Sequence, residues 1–274
     1  MKDKQLESRR WWGMGGAQSP AFVRNGKACL VKGGAAGAVM GELVQRVQAV
    51  LTGGADPKDV LVLCADPTSV ARMQAELGVV RVEGAGQAAG PARAAGAGEV
   101  QVGPDVNRAV DAGEVQVLTC RELACAVLAD PDSAAATGMS FSSGRARLLS
   151  AYETDFLMED VKTLGARPKR LREMLKFFYR GWTELADEDS EWLFTVEEID
   201  TFEFLTCELQ YLGAMMEPQV SNLATKALRM EGQVRERFAR RHVFVYGYQS
   251  LSRASQLLCQ LVAGEELVAG AGPD

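Results

Sequence analysis

The most constraining feature of the sequence is a short stretch, Val60–Cys64, in which every residue is apolar. A strand that is exposed on one face alternates apolar with polar residues. An unbroken apolar run of this length therefore predicts a strand that is covered on both faces. Asp66 and Pro67 follow, a pair that favours the start of a helix. The next apolar residues recur at helical spacing, namely Val70, Met73 and Leu77.

A similar unit lies upstream, where an apolar run at residues 28–31 leads into a glycine-rich turn and then into a helical pattern. Strand, turn, helix, strand and helix in this order predict a parallel sheet with crossover helices. The strand pattern returns at residues 115–118 and 242–246, and residues 267–269 can open a further strand. The expected fold class is therefore α/β, with a parallel sheet flanked by helices.

Two segments interrupt this pattern. Residues 83–113 are rich in glycine and alanine, which predicts a flexible insertion. Within residues 140–240, Tyr152, Phe156 and Leu157 are part of a run of apolar residues at helical spacing, and two further runs follow. We expect an all-helical inserted subdomain over residues 140–240, with residues 1–130 and 241–274 forming the α/β core.

Composition excludes several classes of protein. The net charge of −6 shows that the chain as a whole is not a basic nucleic-acid-binding protein, so any such binding needs a local patch. The six cysteines have no CxxC spacing, which gives no zinc or iron–sulfur pattern and favours free thiols in a reducing compartment. No stretch reaches the ~20 apolar residues of a membrane span. We expect a cytoplasmic protein.

The order of the sequence blocks resembles that of UvrD/Rep-type superfamily 1 DNA helicases. The turn at residues 32–37 stands where that family has its phosphate-binding loop, and residues 60–77 resemble the block called motif Ia. Residues 117–123 are similar to the next block. Residues 243–252 stand where the family has its Walker B motif, and residues 271–274 resemble the start of motif III. The resemblance implies that the α/β core is P-loop NTPase-like and corresponds to the family's first motor domain (1A). It also implies that the helical segment 140–240 corresponds to the family's 1B insertion.

The residues that the family uses for chemistry are replaced. One alignment of the turn puts Ala38 and Val39 at the positions of the phosphate-binding lysine and the magnesium-binding hydroxyl. A second alignment puts Val39 and Met40 there. Tyr246 stands at the position of the metal-binding aspartate and Gly247 at that of the catalytic glutamate. Phosphoryl transfer depends on positioning and electrostatics, so the resemblance implies a domain with little or no ATPase activity.

We therefore expect no catalytic residue, no bound metal and no cofactor in this chain, although ATP and Mg²⁺ serve active family members. A degenerate nucleotide site would be formed by six residues, Gly33, Gly34, Gly37, Ala38, Val39 and Gln249. The alternative for the turn is a plain strand-to-helix connection that binds nothing. For Gln249 and its neighbour Tyr248 the alternative is helix capping and core packing.

The expected function is that of a non-catalytic DNA-contacting or scaffold domain. Single-stranded DNA would contact Thr119, by the resemblance, and the basic cluster that includes Lys169, Arg170 and Arg172. A solvated amphipathic helix is the competing interpretation of that cluster. Two further hypotheses are the N-terminal part of an active ATP-dependent helicase, whose second motor domain (2A) is missing here, and a protein-interaction module built on the helicase fold.

Overall fold

The computed structural model describes residues 27–31, 36–78, 114–139, 147–162, 167–189 and 191–270. The strands in these ranges are β1 (Lys27–Val31), β2 (Val60–Cys64), β3 (Gln116–Thr119), β4 (Arg240–Tyr246) and β5 (Ala263–Gly270). The helices are α1 (Ala36–Thr52), α2 (Pro67–Leu77), α3 (Cys120–Ala129), α4 (Ser133–Thr137), α5 (Ala151–Lys162), α6 (Pro168–Glu184), α7 (Val196–Leu212), α8 (Gln219–Met230), α9 (Gly232–Phe238) and α10 (Arg253–Val262).

The five strands form one sheet in the order β1-β5-β4-β2-β3, and every neighbouring pair is parallel. Lys27 of β1 is in register with Glu266 of β5, and Val60 of β2 is in register with His242 of β4. All five residues of β2 are buried, as its unbroken apolar run predicts. The expectation of an α/β fold with a parallel sheet flanked by helices is confirmed.

Each face of the sheet has its own apolar core. On one face, α1 and α2 place Val39, Leu43 and Met73 against alternate residues of the strands, such as Val62 and Phe244. On the other face α3, α8 and α10 cover the remaining strand residues. Helices that follow neighbouring strands therefore lie on opposite faces, since α2 follows β2 and α10 follows β4. This arrangement positions the candidate site described below.

The helices between β3 and β4 divide into two groups. Helices α5, α6 and α7 share a third apolar cluster built around Phe178, Trp182 and Trp192. Helices α8 and α9 instead contribute to the cluster that covers the sheet. The buried Asn222 of α8 joins the two groups, because its amide nitrogen donates to the carbonyl oxygen of Trp182 at 3.1 Å. A separate inserted subdomain spanning residues 140–240 stays a prediction.

Several sequence-based expectations fall outside the described residues. They concern Gly33, Gly34, the segment 83–113 and the end of the chain at residues 271–274. Among the helices that are described, none is both long enough and apolar enough to cross a membrane.

Candidate nucleotide-binding edge of the sheet

The candidate site is the edge of the sheet at which all five strands have their carboxyl ends. In open α/β sheets, ligands bind outside this edge, at the place where the helices that follow neighbouring strands go to opposite faces. Strands β2 and β4 are such neighbours, and they end at Cys64 and Tyr246. The predicted nucleotide-binding residues belong to the segments that leave this edge.

The turn between β1 and α1 supplies the first of these segments. Gly37 lies in the first turn of α1, and Ala38 is exposed to solvent. Val39 and Met40 are each only 1% exposed. In both possible alignments, the position of the magnesium-binding hydroxyl is therefore taken by a side chain that belongs to the apolar core.

Helix α1 packs tightly over the end of β5. A Cβ atom added to Gly270 would lie 2.7 Å from Cδ1 of Leu43 and 2.8 Å from Cγ1 of Val39. Both distances are shorter than van der Waals contact, so α1 leaves room at this point for a glycine only. Sequence reasoning missed this contact, although the spacing of Val39, Leu43 and Val47 indicates a single buried helix face.

The end of β4 is closed by backbone hydrogen bonds on both sides. The N–H of Gly247 donates to the carbonyl oxygen of Gly270 at 3.0 Å, and the N–H of Ala65 donates to the carbonyl oxygen of Tyr246 at 3.2 Å. Gly247 has φ = 78°, in the left-handed region, and a Cβ atom there would lie 2.8 Å from Cβ of Ala65. The position that corresponds to the catalytic glutamate therefore has no room for a side chain.

Tyr246, at the position of the metal-binding aspartate, is 2% exposed and belongs to the same apolar cluster as Val39. Burial raises the pKa of its phenol, which keeps the side chain neutral. The neighbouring Cys64 is also buried, and burial raises the pKa of its thiol to about 12. The ends of β4 and β2 therefore present neutral groups where Mg²⁺ coordination needs carboxylate oxygens.

Tyr248 and Gln249 lie on a single 3₁₀ turn just after β4. The hydroxyl of Tyr248 accepts a hydrogen bond from Nε2 of Gln260 at 2.8 Å, and its carbonyl oxygen accepts one from Nε2 of Gln256 at 3.0 Å. Tyr248 thus ties the turn to α10 and packs against the core. Gln249 is exposed on the same turn.

The polar side chains that follow β3 and β2 cap helices. Thr119 is 5% exposed, and its hydroxyl accepts from the N–H of Glu122 at 3.0 Å, while the Glu122 carboxylate accepts from the N–H of Thr119 at 2.8 Å. Asp66 accepts from both the N–H and the hydroxyl of Ser69, and these bonds lower the pKa of Asp66. The bonds between Thr119 and Glu122 are reciprocal, whereas both bonds at Asp66 are donated by Ser69. Both sets satisfy N–H groups in the first turns of α3 and α2.

These residues do not fit Mg-ATP. In the part of the edge that the structure describes, the lysine and hydroxyl positions carry Ala38, Val39 or Met40, and the aspartate position carries Tyr246. The nearby polar groups of Thr119 are engaged in capping.

The predicted DNA-binding cations lie on α6, in the helical group. Lys169 and Arg172 are exposed, whereas Arg170 bonds to Glu198 at 2.9 Å and to Glu197 at 3.5 Å. Arg170 is therefore engaged by two carboxylates of α7, unlike the exposed Lys169 and Arg172. Thr119 belongs to a different element, at the end of β3.

The sequence matches no model of a known protein family and no curated protein. The resemblance to UvrD/Rep helicases therefore depends on the order and spacing of the sequence blocks alone.

Proposed function

We propose that this chain is a non-catalytic domain of P-loop NTPase type, similar to the first motor domain of UvrD/Rep helicases, and that it contacts single-stranded DNA through α6. The observation that carries the non-catalytic part is the burial of Val39, Met40 and Tyr246 in one apolar cluster. The phosphate-binding and metal-binding positions of an active enzyme would have to be charged and open to the nucleotide.

ATP hydrolysis is the direct test. We expect no turnover above background with Mg-ATP and single-stranded DNA. Turnover at about 1 s⁻¹ or faster, which is ordinary for enzymes, would refute the proposal.

Restoring the missing groups gives a sharper test, because the two alignments of the turn place the lysine differently. Ala38 is exposed, so Ala38→Lys should fold normally and still bind no Mg-ATP. Val39→Lys would bury an ammonium group without a partner, at a cost on the order of several kcal/mol. Calorimetric titration measures nucleotide binding, and thermal unfolding measures folding. Tight Mg-ATP binding by either variant would refute the proposal.

The proposed DNA contact depends on one face of α6. Lys169, Arg172 and Lys176 are three and four residues apart, which places them on the same side of the helix. All three are exposed, and none makes an ion pair with another described residue. Cations that are not engaged by carboxylates can neutralise phosphates.

A second group of arginines, which includes Arg237 of α9 and Arg241 of β4, is by contrast engaged in ion pairs. Arg237 pairs with Asp130 and Asp132 at 2.5 and 2.6 Å, and Arg241 pairs with Glu265. Those guanidinium groups are engaged within the fold. They would have to break ion pairs before binding phosphate.

Fluorescence anisotropy with a labelled oligothymidine tests this contact at several salt concentrations. Affinity should fall with salt, and the logarithmic slope should decrease by about 0.7 for each phosphate contact removed. Lys169→Glu should weaken binding, and Lys169→Glu/Arg172→Glu should weaken it further. Lys58→Glu is the matched control, because it makes the same charge change as Lys169→Glu at an exposed site before β2. Equal weakening by the two single variants would contradict a contact at α6.

A further inference from the structure

A groove lies between α5 and α7, and no residue of the sheet edge or of α6 lines it. It encloses about 420 Å³. Its apolar lining is formed by Tyr152, Phe156, Leu157 and Leu212. Its acidic lining is formed by Glu153, Asp160 and Glu208.

The apolar lining is unusually exposed for a folded protein. Tyr152 is 75% exposed and Phe156 is 62% exposed, and their ring centroids lie 6.4 Å apart on successive turns of α5. Adjacent large apolar side chains that are open to water mark interaction sites, because leaving them exposed gains nothing for stability. Leu157, by contrast, is buried and connects the base of the groove to the core of the helical group.

The walls of the groove are fixed before any partner binds. The segment 147–149 is hydrogen-bonded to Met215. The N–H of Leu149 donates to the carbonyl oxygen of Met215 at 2.9 Å. A second bond returns from the N–H of Met215 to the carbonyl oxygen of Arg147 at 2.9 Å. The Arg147 guanidinium also donates to the carbonyl oxygen of Leu212 at 3.3 Å and pairs with Glu153. These contacts join the start of α5 to the end of α7, which lowers the ordering cost of binding.

Charge defines the kind of partner. Helices α5 and α7 together carry nine carboxylates and one lysine, Lys162. At least four of these carboxylates are engaged by cations, namely Glu159 by Lys162, Glu153 by Arg147, and Glu197 and Glu198 by Arg170. The remaining carboxylates leave an excess of negative charge on the two helices. Hydrogen bonds from Ser150 lower the pKa of Glu153, so that its carboxylate stays ionised at neutral pH. Helix α6 has the opposite balance, with five cations and two carboxylates. The groove therefore repels phosphates and attracts cationic side chains.

We propose that the groove between α5 and α7 binds the apolar face of a basic amphipathic helix from another protein. Apolar side chains at positions i, i+4 and i+7 of that helix would pack on Tyr152 and Phe156. Lysines and arginines beside them would lie against Glu208. This is the helix-in-groove mode of recognition, in which an apolar stripe supplies affinity and flanking charges supply orientation. The proposal is independent of the DNA contact at α6.

The test uses the whole chain and three labelled peptides of roughly five helical turns each. The first has leucines along one face and lysines on the other. The second has the same composition in an order that destroys the apolar face, and the third carries glutamates in place of the lysines. Anisotropy should show saturable binding of the first peptide alone. Equal binding of the second would mean that charge alone drives association, and binding of the third would contradict the charge complementarity; either result overturns the proposal.

Variants locate the binding surface. Phe156→Ala should weaken binding of the first peptide by about tenfold or more, as expected for an aromatic residue at the centre of an interface. Phe194→Ala is the matched control, since Phe194 is 68% exposed but does not line the groove. Both residues are exposed, so both variants should unfold at the temperature of the unmodified chain. Equal affinities of the two variants overturn the proposal.

Two further measurements separate this proposal from its alternatives. Lys169→Glu/Arg172→Glu should bind the first peptide as the unmodified chain does, so that failure of the DNA contact and failure of the groove remain distinguishable. Sedimentation equilibrium should show a monomer. Dimerisation that Phe156→Ala abolishes would overturn the proposal, because a second copy of this chain would then cover the groove.

Discussion

The resemblance to UvrD/Rep helicases aligns Gly247 with the catalytic glutamate of that family. The substitution Gly247→Glu would introduce a glutamate at this position. We expect this substitution to destabilise the fold and to restore no nucleotide binding. Two features of the structure act against it. The backbone has φ = 78°, and any Cβ atom would lie 2.8 Å from Cβ of Ala65. The simpler variant Gly247→Ala adds the Cβ atom alone. It therefore measures the backbone strain and the contact with Ala65 without the effects of a longer side chain.

The magnitude follows from those two features. A left-handed conformation costs a residue with a Cβ atom about 1–2 kcal/mol. Forcing two carbon atoms together in a packed region costs about 1–3 kcal/mol. Loss of glycine's freedom in the unfolded chain returns about 0.4–1 kcal/mol. We therefore expect Gly247→Ala to lower the free energy of unfolding by about 1–5 kcal/mol, and Gly247→Glu to lower it by at least as much.

Guanidinium denaturation followed by far-ultraviolet circular dichroism measures the effect. Ala65→Gly removes the opposing Cβ atom, so the double variant Ala65→Gly/Gly247→Ala should recover the steric part, about 1–3 kcal/mol, as a coupling energy. The backbone part should remain. Denaturation of Gly247→Ala at the same midpoint as the unmodified chain would refute the reasoning, and so would additive effects in the double variant.

Two further predictions concern groups close to the sheet edge. Asp66→Ala should cost about 1 kcal/mol of stability, because Asp66 caps α2. The hydrogen bonds from Ser69 lower the pKa of Asp66 in the folded chain. The stabilisation by the Asp66 carboxylate is therefore complete above the unfolded pKa of about 3.9 and is lost as the pH falls through the lower folded pKa. Denaturation of the unmodified chain and of Asp66→Ala across that pH range measures this loss. Iodoacetamide at mildly alkaline pH should modify the exposed Cys207 and leave Cys64 intact, because the Cys64 thiol is buried and its pKa is about 12. Peptide mass spectrometry reads both sites, and modification of Cys64 in the folded chain would contradict its burial.

Much of the sheet could be predicted from local patterns. The apolar run Val60–Cys64 has no polar face, which predicts a strand covered on both sides, and the structure buries all five residues. Asp66 and Pro67 mark a helix start by chemistry that acts within a few residues. The strand at Ala263–Gly270 was also anticipated in part, from three apolar residues at its carboxyl end.

The site could not be predicted as fully, because its decisive contacts join residues far apart in the sequence. The closeness of Gly247 to Ala65 exists only when β2 and β4 are paired. Arg170 looked like its neighbours on α6, yet two glutamates of α7 engage it. Charge spacing along one helix carries no information about the helix that packs beside it.

Helix α5 shows a related limit. Its helical character follows from apolar spacing, and the structure confirms a helix there. Spacing gives the side of a helix on which apolar residues lie, but it cannot say whether another element covers that side. Leu157 is buried while the adjacent Phe156 is exposed. The groove could therefore not be predicted from the sequence.

The strand order has a consequence for how the chain folds. Strands β4 and β5 lie inside the sheet but come last in the sequence, and β1 pairs with β5. During synthesis at about 5–20 residues per second, β1, β2 and β3 leave the ribosome on the order of ten seconds before β4 can join them. In that interval β3 is the one described strand that can pair with the apolar run of β2. Folding should therefore be slow, because β2 has to wait for its second strand partner, β4.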